Sequence, residues 1–182
     1  YSQIVRLSDL IRDIALITKT EEASELFDKE RVNVHNTLQE VIDDLHDPII
    51  AHGINVKNEI NPQTIIEGNK TLVYAIFRNL IENSINYAGD NISIGVNNYM
   101  EDKEFYYFSY YDTGQGIEEN HLNRIFERFY RVCEGRSRQN GGSGLGLSIV
   151  KNAVLFHKGD ISAKNRKDGG LEFLFSLKKT LF

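Results

Sequence analysis

Apolar side chains at Ile4, Leu7, Ile11 and Ile14 recur at intervals of three and four, the seam of a bundle or coiled-coil helix. The seam fades after two heptads and carries no cap in front of it, which reads as a helix cut from a longer one. The polar run TKTEEASELFDKERVN then serves as a connector. Leu38, Val41, Ile42, Leu45 and Ile49 keep a helical period from Val34 to about Ala51, and Ile54 to Ile60 alternates as a strand closed by Asn61-Pro62. Asn69 stands where it can cap a long helix carrying Leu72, Val73, Ile76, Leu80, Ile81 and Ile85 and ending by Gly89.

Two strand-like runs, Ile92 to Val96 and Phe105 to Tyr111, flank the polar turn NNYMEDKE and predict an antiparallel hairpin. A short helix is expected around Leu122 to Phe129, then an apolar-poor stretch from Glu134 to Gly142, a further helix, and a last hairpin of Asp160–Asn165 with Leu171–Leu177, turned at KDGG. Strands cluster with helices and do not alternate with them one for one. The body is therefore expected to be α+β, a two-layer α/β sandwich with a mixed, mostly antiparallel sheet, preceded by the truncated bundle helix.

Composition narrows the function classes. A net charge of −5 over 182 residues lacks the basic excess of a nucleic-acid surface, so any phosphate binding should be local. The single cysteine, Cys133, can form neither an internal disulfide nor a cysteine-based zinc site, and fits a reducing compartment. No run approaches 18 apolar residues, so the segment is expected to be soluble whether or not its parent spans a membrane.

The candidate chemistry begins at NGGSGLGLSIV, residues Asn140 to Val150, where four glycines in seven positions run directly into an apolar helical pattern. Glycine lets backbone amides approach a ligand, and a helix N-terminus adds unpaired N–H groups and a positive dipole end. A hinge would look the same. A P-loop needs Gly-Lys-Ser/Thr after the glycines, and a dinucleotide fingerprint needs a strand before them, where this chain has the polar CEGRSRQN. Three other stretches add meaning. NLIENSINY sets Asn79 and Asn83 four apart, on one helix face. YYDTGQGI ends a strand with Asp112, whose carboxylate can only accept and so could fix an exocyclic amine such as that of adenine. IFERFYRV offers the guanidinium groups of Arg128 and Arg131 to phosphate oxygens. Taken singly, these three also read as exposed amides, a simple turn and a solvated helix end.

Their order does not read that way. Asn-x-x-x-Asn, Asp-x-Gly-x-Gly, Phe-x-x-Phe-Tyr-Arg and Gly-x-Gly-x-Gly follow one another as in the N, G1, F and G2 boxes, and from about Val32 onward the chain closely resembles the catalytic and ATP-binding domain of two-component sensor histidine kinases. That domain is related to the gyrase, heat-shock chaperone and mismatch-repair ATPases. The resemblance implies three parts: residues 1–20 as part of the second helix of a dimerisation hairpin, 21–31 as connector, and 32–182 as the catalytic domain, cytoplasmic and belonging to a membrane-anchored sensor.

The resemblance also implies ATP and Mg²⁺ as ligands. Asn83 would coordinate the metal, a hard cation that binds mainly through phosphate and keeps several waters, with Asn79 supporting the phosphate network. Tyr87 would flank adenine, Asp112 would accept from its amino group, and Gly114 and Gly116 would give it room, with Ile117 and Tyr130 among the nucleotide-binding positions. Gly142, Ser143, Gly144, Leu145, Gly146 and Leu147 would close over the phosphates. Arg131 is the first choice for the γ-phosphate and Arg128 the second, while Phe126 and Phe129 would anchor a mobile lid from about Tyr130 to Gly142. Asn86 stands where the family commonly has a phosphate-reaching lysine. Asn79 stands where the hydrolysing relatives carry a glutamate base, and an amide cannot take a proton at neutral pH. Glu82 lies about 60° from Asn79 and about 100° from Asn83 around a regular helix and reads as a polar-face residue.

The implied activity is transfer of the γ-phosphoryl group to a histidine upstream, for relay to a response-regulator aspartate. The implied partners are that acceptor helix, a receiver domain and a second copy of the chain, with no nucleic acid. None of His35, His46, His52, His121 or His157 sits in an acceptor motif; Pro48, two residues after His46, would break the helix that one requires. They read as surface or packing histidines. A nucleotide sensor without transfer, and a hydrolysing ATPase, stay open at this level.

Overall fold

The structure is a computed structural model and describes residues 2–132 and 142–181. Cys133 and most of the expected lid lie outside the described residues. In chain order the elements are α1 (Ser2–Glu22), β1 (Glu30–Asn33), α2 (Val34–Asp44), α3 (His46–Ala51), β2 (Asn55–Glu59), β3 (Ile65–Gly68), α4 (Lys70–Tyr87), β4 (Ser93–Glu101), β5 (Phe105–Asp112), α5 (Gly146–Phe156), β6 (Ile161–Asn165) and β7 (Leu171–Lys178).

Five strands form one sheet in the order β2-β4-β5-β7-β6, with β2 parallel to β4 and every other pair antiparallel. The mixed, mostly antiparallel α/β sandwich is thus the observed architecture. Alternation sets which side is packed: Ile94 and Val96 of β4, Phe108 and Tyr110 of β5, and Phe173, Phe175 and Leu177 of β7 are buried in one core with Leu38 of α2, Leu72, Ile76, Leu80 and Ile81 of α4, and Val150 and Val154 of α5. The helical layer covers that face, and α4 also packs along α5.

Four expectations change in detail. The helical period from Val34 to Ala51 breaks at Leu45, because Pro48 cannot donate a backbone bond and its ring would strike the Asp44 carbonyl of a continuous helix. The connector holds more structure than its polarity suggests: β1 pairs antiparallel with β3, from Glu30 opposite Gly68 to Asn33 opposite Ile65, and buries Val32 and Ile66. The β4–β5 hairpin runs through most of NNYMEDKE, leaving a tight turn where the Asp102 carboxylate accepts from the Glu104 and Phe105 amides at 2.8 Å each. The short helix expected near Leu122–Phe129 is a 3₁₀ turn at Glu119–His121 followed by successive turns. Phe129 has φ 62°, and its N–H bonds to the Gly144 carbonyl at 2.9 Å where a helix would send it to Ile125.

Candidate functional site

The site assembles at the C-terminal half of α4, the end of β5, the first turn of α5 and the β6–β7 turn. The long helix is fixed at its start by Asn69, whose side chain accepts from the Leu72 amide at 3.0 Å and donates to the Asp28 carbonyl at 2.9 Å. The Asn69 N–H in turn donates to Nε2 of His157 at 3.1 Å, and Nδ1 of that ring lies 2.7 Å from the Ala153 carbonyl. These contacts assign the proton to Nδ1, and burial pushes the ring's pKa down to about 4. A neutral imidazole therefore ties the start of α4 to the end of α5.

That tie sets the two helices side by side, with the two asparagines half-buried along α4. Asn79 donates to the Ala75 carbonyl at 2.8 Å, and its Oδ1 lies 3.0 Å from where a Cβ on Gly146 would be. The amide row thus meets the opening turn of α5. A Cβ on Gly142 would fall 2.4 Å from the Tyr87 hydroxyl and 3.5 Å from Nη2 of Arg131, which gathers those three residues. Gly144, at φ 77°, backs onto Phe129 with 3.0 Å between its Cβ position and the Phe129 Cα.

Asp112 is 3% exposed and closely tied. Its Oδ1 accepts from the amides of Gly114 at 3.0 Å and Leu171 at 3.2 Å, and its Oδ2 accepts from Ser84 Oγ at 3.1 Å. Behind Ser84 stands the Tyr110 hydroxyl at 2.8 Å, itself 3.0 Å from the Leu80 carbonyl. The glycine turn after Asp112 presses on the end of α4, where a Cβ on Gly114 would meet the Ala88 carbonyl at 2.5 Å. Asn165 grips the far side of that turn, accepting from Ile117 N–H at 3.0 Å and donating to Ile117 O at 2.6 Å, and Gly116 between them has φ 67°. Arg166 stacks on the Tyr111 ring at 4.2 Å, and a Cβ on Gly170 would lie 1.9 Å from the Asp112 carbonyl. Ser84, Tyr110, Asn165, Arg166, Gly170 and Leu171 are the residues sequence reasoning missed; the double glycine in KDGG, read only as a turn, was their sole signal.

Residues 68–181, well over half of the chain, match the family described as histidine kinase-, DNA gyrase B-, and HSP90-like ATPase. The chain belongs to this ATPase family. Over 175 residues it is 30% identical to the sensor histidine kinase RppB of Synechocystis, with 94% of this chain and 38% of RppB aligned, so it spans about two-fifths of that relative's length. The catalytic domain of the histidine kinase ThkA superposes with a TM-score of 0.73 at 26% identity, over 85% of this chain and 97% of that one. ThkA in complex with the response regulator protein TrrA is alike in fold, with a TM-score of 0.76 at 23% identity over 98% of this chain and 49% of that one.

Other box residues of this ATPase family member take separate positions. Arg128 pairs with Glu21 of α1 and so points at that helix, away from the cluster around Gly142. Ser143 donates to Asp13 of α1 at 3.2 Å and accepts from the Leu145 amide at 3.2 Å. The Leu145 side chain is buried with Ile17, Ala75 and Ile149 in a small second core, and Leu147 packs on the main one, so both offer a ligand backbone more than side chain. Tyr130 bonds His121 beneath the Arg124 guanidinium. Phe126 meets Phe173 edge to face at 6.1 Å, as an anchor should, but Phe129 is 60% exposed and anchors nothing in the core. Its left-handed backbone turns the ring outward.

Glu82 is bonded to Arg78 at 2.9 Å, and desolvation pushes its carboxyl pKa up against the pull of that guanidinium. Among the described residues no three His, Cys, Asp or Glu side chains form a metal cluster. A neutral amide such as that of Asn83 would suit a cation delivered by phosphates better than one caged by protein. A cleft of about 700 Å³ between His35, Asn61, Asn98 and Met100 opens at the opposite end of β4 and touches none of these residues.

Proposed function

We propose that the chain is the ATP-binding kinase domain of a sensor histidine kinase, holding Mg-ATP and passing its γ-phosphoryl group to a histidine in the longer protein. The observation that carries this reading is the buried Asp112 carboxylate, held at the end of β5 by two amides and a hydroxyl, next to an amide row and a glycine turn that leads into α5. In this reading Asp112 accepts from the amino group of adenine and Tyr87 lies along the base. The glycines from Gly142 to Gly146 admit the phosphates, and Arg131 meets the terminal one. Asn83 would offer its amide oxygen to Mg²⁺, whose charge would offset that of the phosphates. Phosphoryl transfer asks mainly for positioning and electrostatics, and these residues supply both.

Asn79 provides no base for water, which favours transfer over hydrolysis, and the nearest carboxylate in sequence, Glu82, is engaged by Arg78. ThkA has been solved with its response regulator, which supports a receiver domain as the partner here. Ile4, Leu7, Ile11 and Ile14 are exposed along α1, which supports pairing of that seam with further bundle helices or a second copy. No helix among the described residues is long and apolar enough to cross a membrane.

A fluorescent ATP analogue tests the reading directly. Signal should appear only with Mg²⁺, and Asn83→Ala should abolish that dependence. No saturable binding in the parent chain would refute the reading. With the acceptor hairpin supplied separately and labelled ATP, phosphohistidine should form; binding without phosphohistidine would favour a nucleotide sensor, and free phosphate release by the fragment alone would favour an ATPase.

A further inference from the structure

The hydrogen bonds around Asp112 can be counted against what a carboxylate accepts. Two oxygens offer about four lone-pair positions. Oδ1 is full, with the Gly114 and Leu171 amides. Oδ2 holds one donor, the Ser84 hydroxyl, leaving a single position for a ligand.

The orientation of that hydroxyl follows from the proton count. Ser84 and Tyr110 carry one proton each. If Tyr110 gives its proton to the Leu80 carbonyl and Ser84 gives its own to Asp112, the 2.8 Å contact between the two hydroxyl oxygens holds no proton and is repulsive. If Ser84 gives its proton to Tyr110, a bare hydroxyl oxygen faces the carboxylate. Three contacts share two protons, so one goes without; the series from Tyr110 to Ser84 to Asp112 leaves that to the 3.0 Å contact with Leu80 O rather than the 2.8 Å one between the hydroxyls, and a negative acceptor at its end strengthens both links. Leu80 O keeps its place in the α4 ladder. Burial holds the Tyr110 hydroxyl pKa well above its usual value, so Tyr110 keeps its proton to donate. Ser84 is 1% exposed and Tyr110 fully buried, and neither can reach a ligand itself.

We propose that Ser84 and Tyr110 are positioning residues that set base selectivity through Asp112, making the site one for 6-aminopurine nucleotides and against guanine. This rests on the nucleotide-binding reading above. Guanine pairs with a carboxylate through two adjacent N–H groups and needs both oxygens; with Oδ1 saturated and half of Oδ2 occupied, only one donor can be received. The 6-amino group of adenine supplies one. Removing the Ser84 hydroxyl frees a second position on Oδ2 and lets the carboxylate turn.

The test is competition of ATP, GTP and purine riboside triphosphate, which lacks the 6-amino group, against a fluorescent nucleotide with Mg²⁺. It is run on the parent, Ser84→Ala and Tyr110→Phe, with unfolding midpoints measured for all three. The parent should prefer ATP over the purine analogue by about tenfold or more, the worth of one bond to a charged acceptor. In Ser84→Ala that preference should fall to about threefold or less, with GTP gaining on ATP, and Tyr110→Phe should lie between. The affinity of the purine analogue should not change. A parallel loss for all three nucleotides means a purely structural role and overturns the proposal, as does unchanged discrimination in both variants. Absence of saturable binding in the parent would instead remove the nucleotide reading itself, and this inference with it.

Discussion

Lowering the pH from 7 to 5 should cost this fold about 2 kcal/mol through His157 alone. The ring is completely buried, and its Nε2 is committed as acceptor to the Asn69 amide, so protonation there removes a hydrogen bond and buries a charge. Its pKa sits at about 4 in the fold against 6.5 for an ordinary histidine. The unfolded chain therefore takes up the proton first. The contribution is intact well above pH 6.5, erodes as pH falls through the interval, and is fully lost only below pH 4, where the loss approaches about 3.4 kcal/mol. Urea unfolding followed by circular dichroism at pH 7, 6 and 5 measures it, with His157→Gln as the reference that keeps polar groups for Asn69 and Ala153 but does not titrate. Asp13 and Glu82 titrate nearby in the opposite sense: burial raises both carboxyl pKa values, so they bind protons more readily in the fold and gain stability as pH drops through their shifted range. Both proteins carry them, and the difference between parent and variant removes them. The parent should lose about 2 kcal/mol more than the variant between pH 7 and 5. Parallel losses would refute the assignment of the proton to Nδ1 and the role of burial.

Gly144→Ala should lower stability by about 1–2 kcal/mol, the cost of a side chain in a left-handed backbone, seen as a lower thermal midpoint, because Gly144 sits at φ 77° against Phe129. Asn165→Ala leaves the Ile117 N–H and C=O without their partners; a loss of about 1–3 kcal/mol is expected, with faster amide exchange at Ile117 and weaker binding of the ATP analogue. Glu21→Ala breaks the pair with Arg128, whose two side chains are 41% and 49% exposed, so denaturant midpoints should shift by less than about 1 kcal/mol.

The parts of this fold legible in the sequence are those whose causes are local. Asn69 caps α4 through a bond three residues away, and the 2-residue period of β7 and 3-to-4 period of α4 announce which sides are buried. Asp112 and its glycines were visible because a carboxylate before a tight turn is a local pattern. β1 and β3 escaped because four residues each, with Glu30, Arg31 and Glu67 among them, show too little alternation to separate from loop. The break at Leu45 was legible in Pro48 but masked by an unbroken apolar period. Ser84 and Tyr110 looked like a helix polar position and a strand aromatic; their meaning appears only when α4 lies across β5, which brings together residues 26 apart in the chain. Asn165, Arg166 and Leu171 reach Asp112 and Ile117 from 48 to 59 residues away, and no spacing rule spans that gap.

The β6–β7 turn has a consequence for how the protein is made. Residues 79–146, with every recognisable box among them, are synthesised before Asn165 and the backbone amide of Leu171. Until those last strands emerge and add to the growing sheet, the aspartate lacks one of its amide donors and the glycine turn has no clamp. A nascent chain therefore passes through a stage in which it carries the family's motifs without the full set of contacts around Asp112 and Ile117, which the β6–β7 hairpin completes.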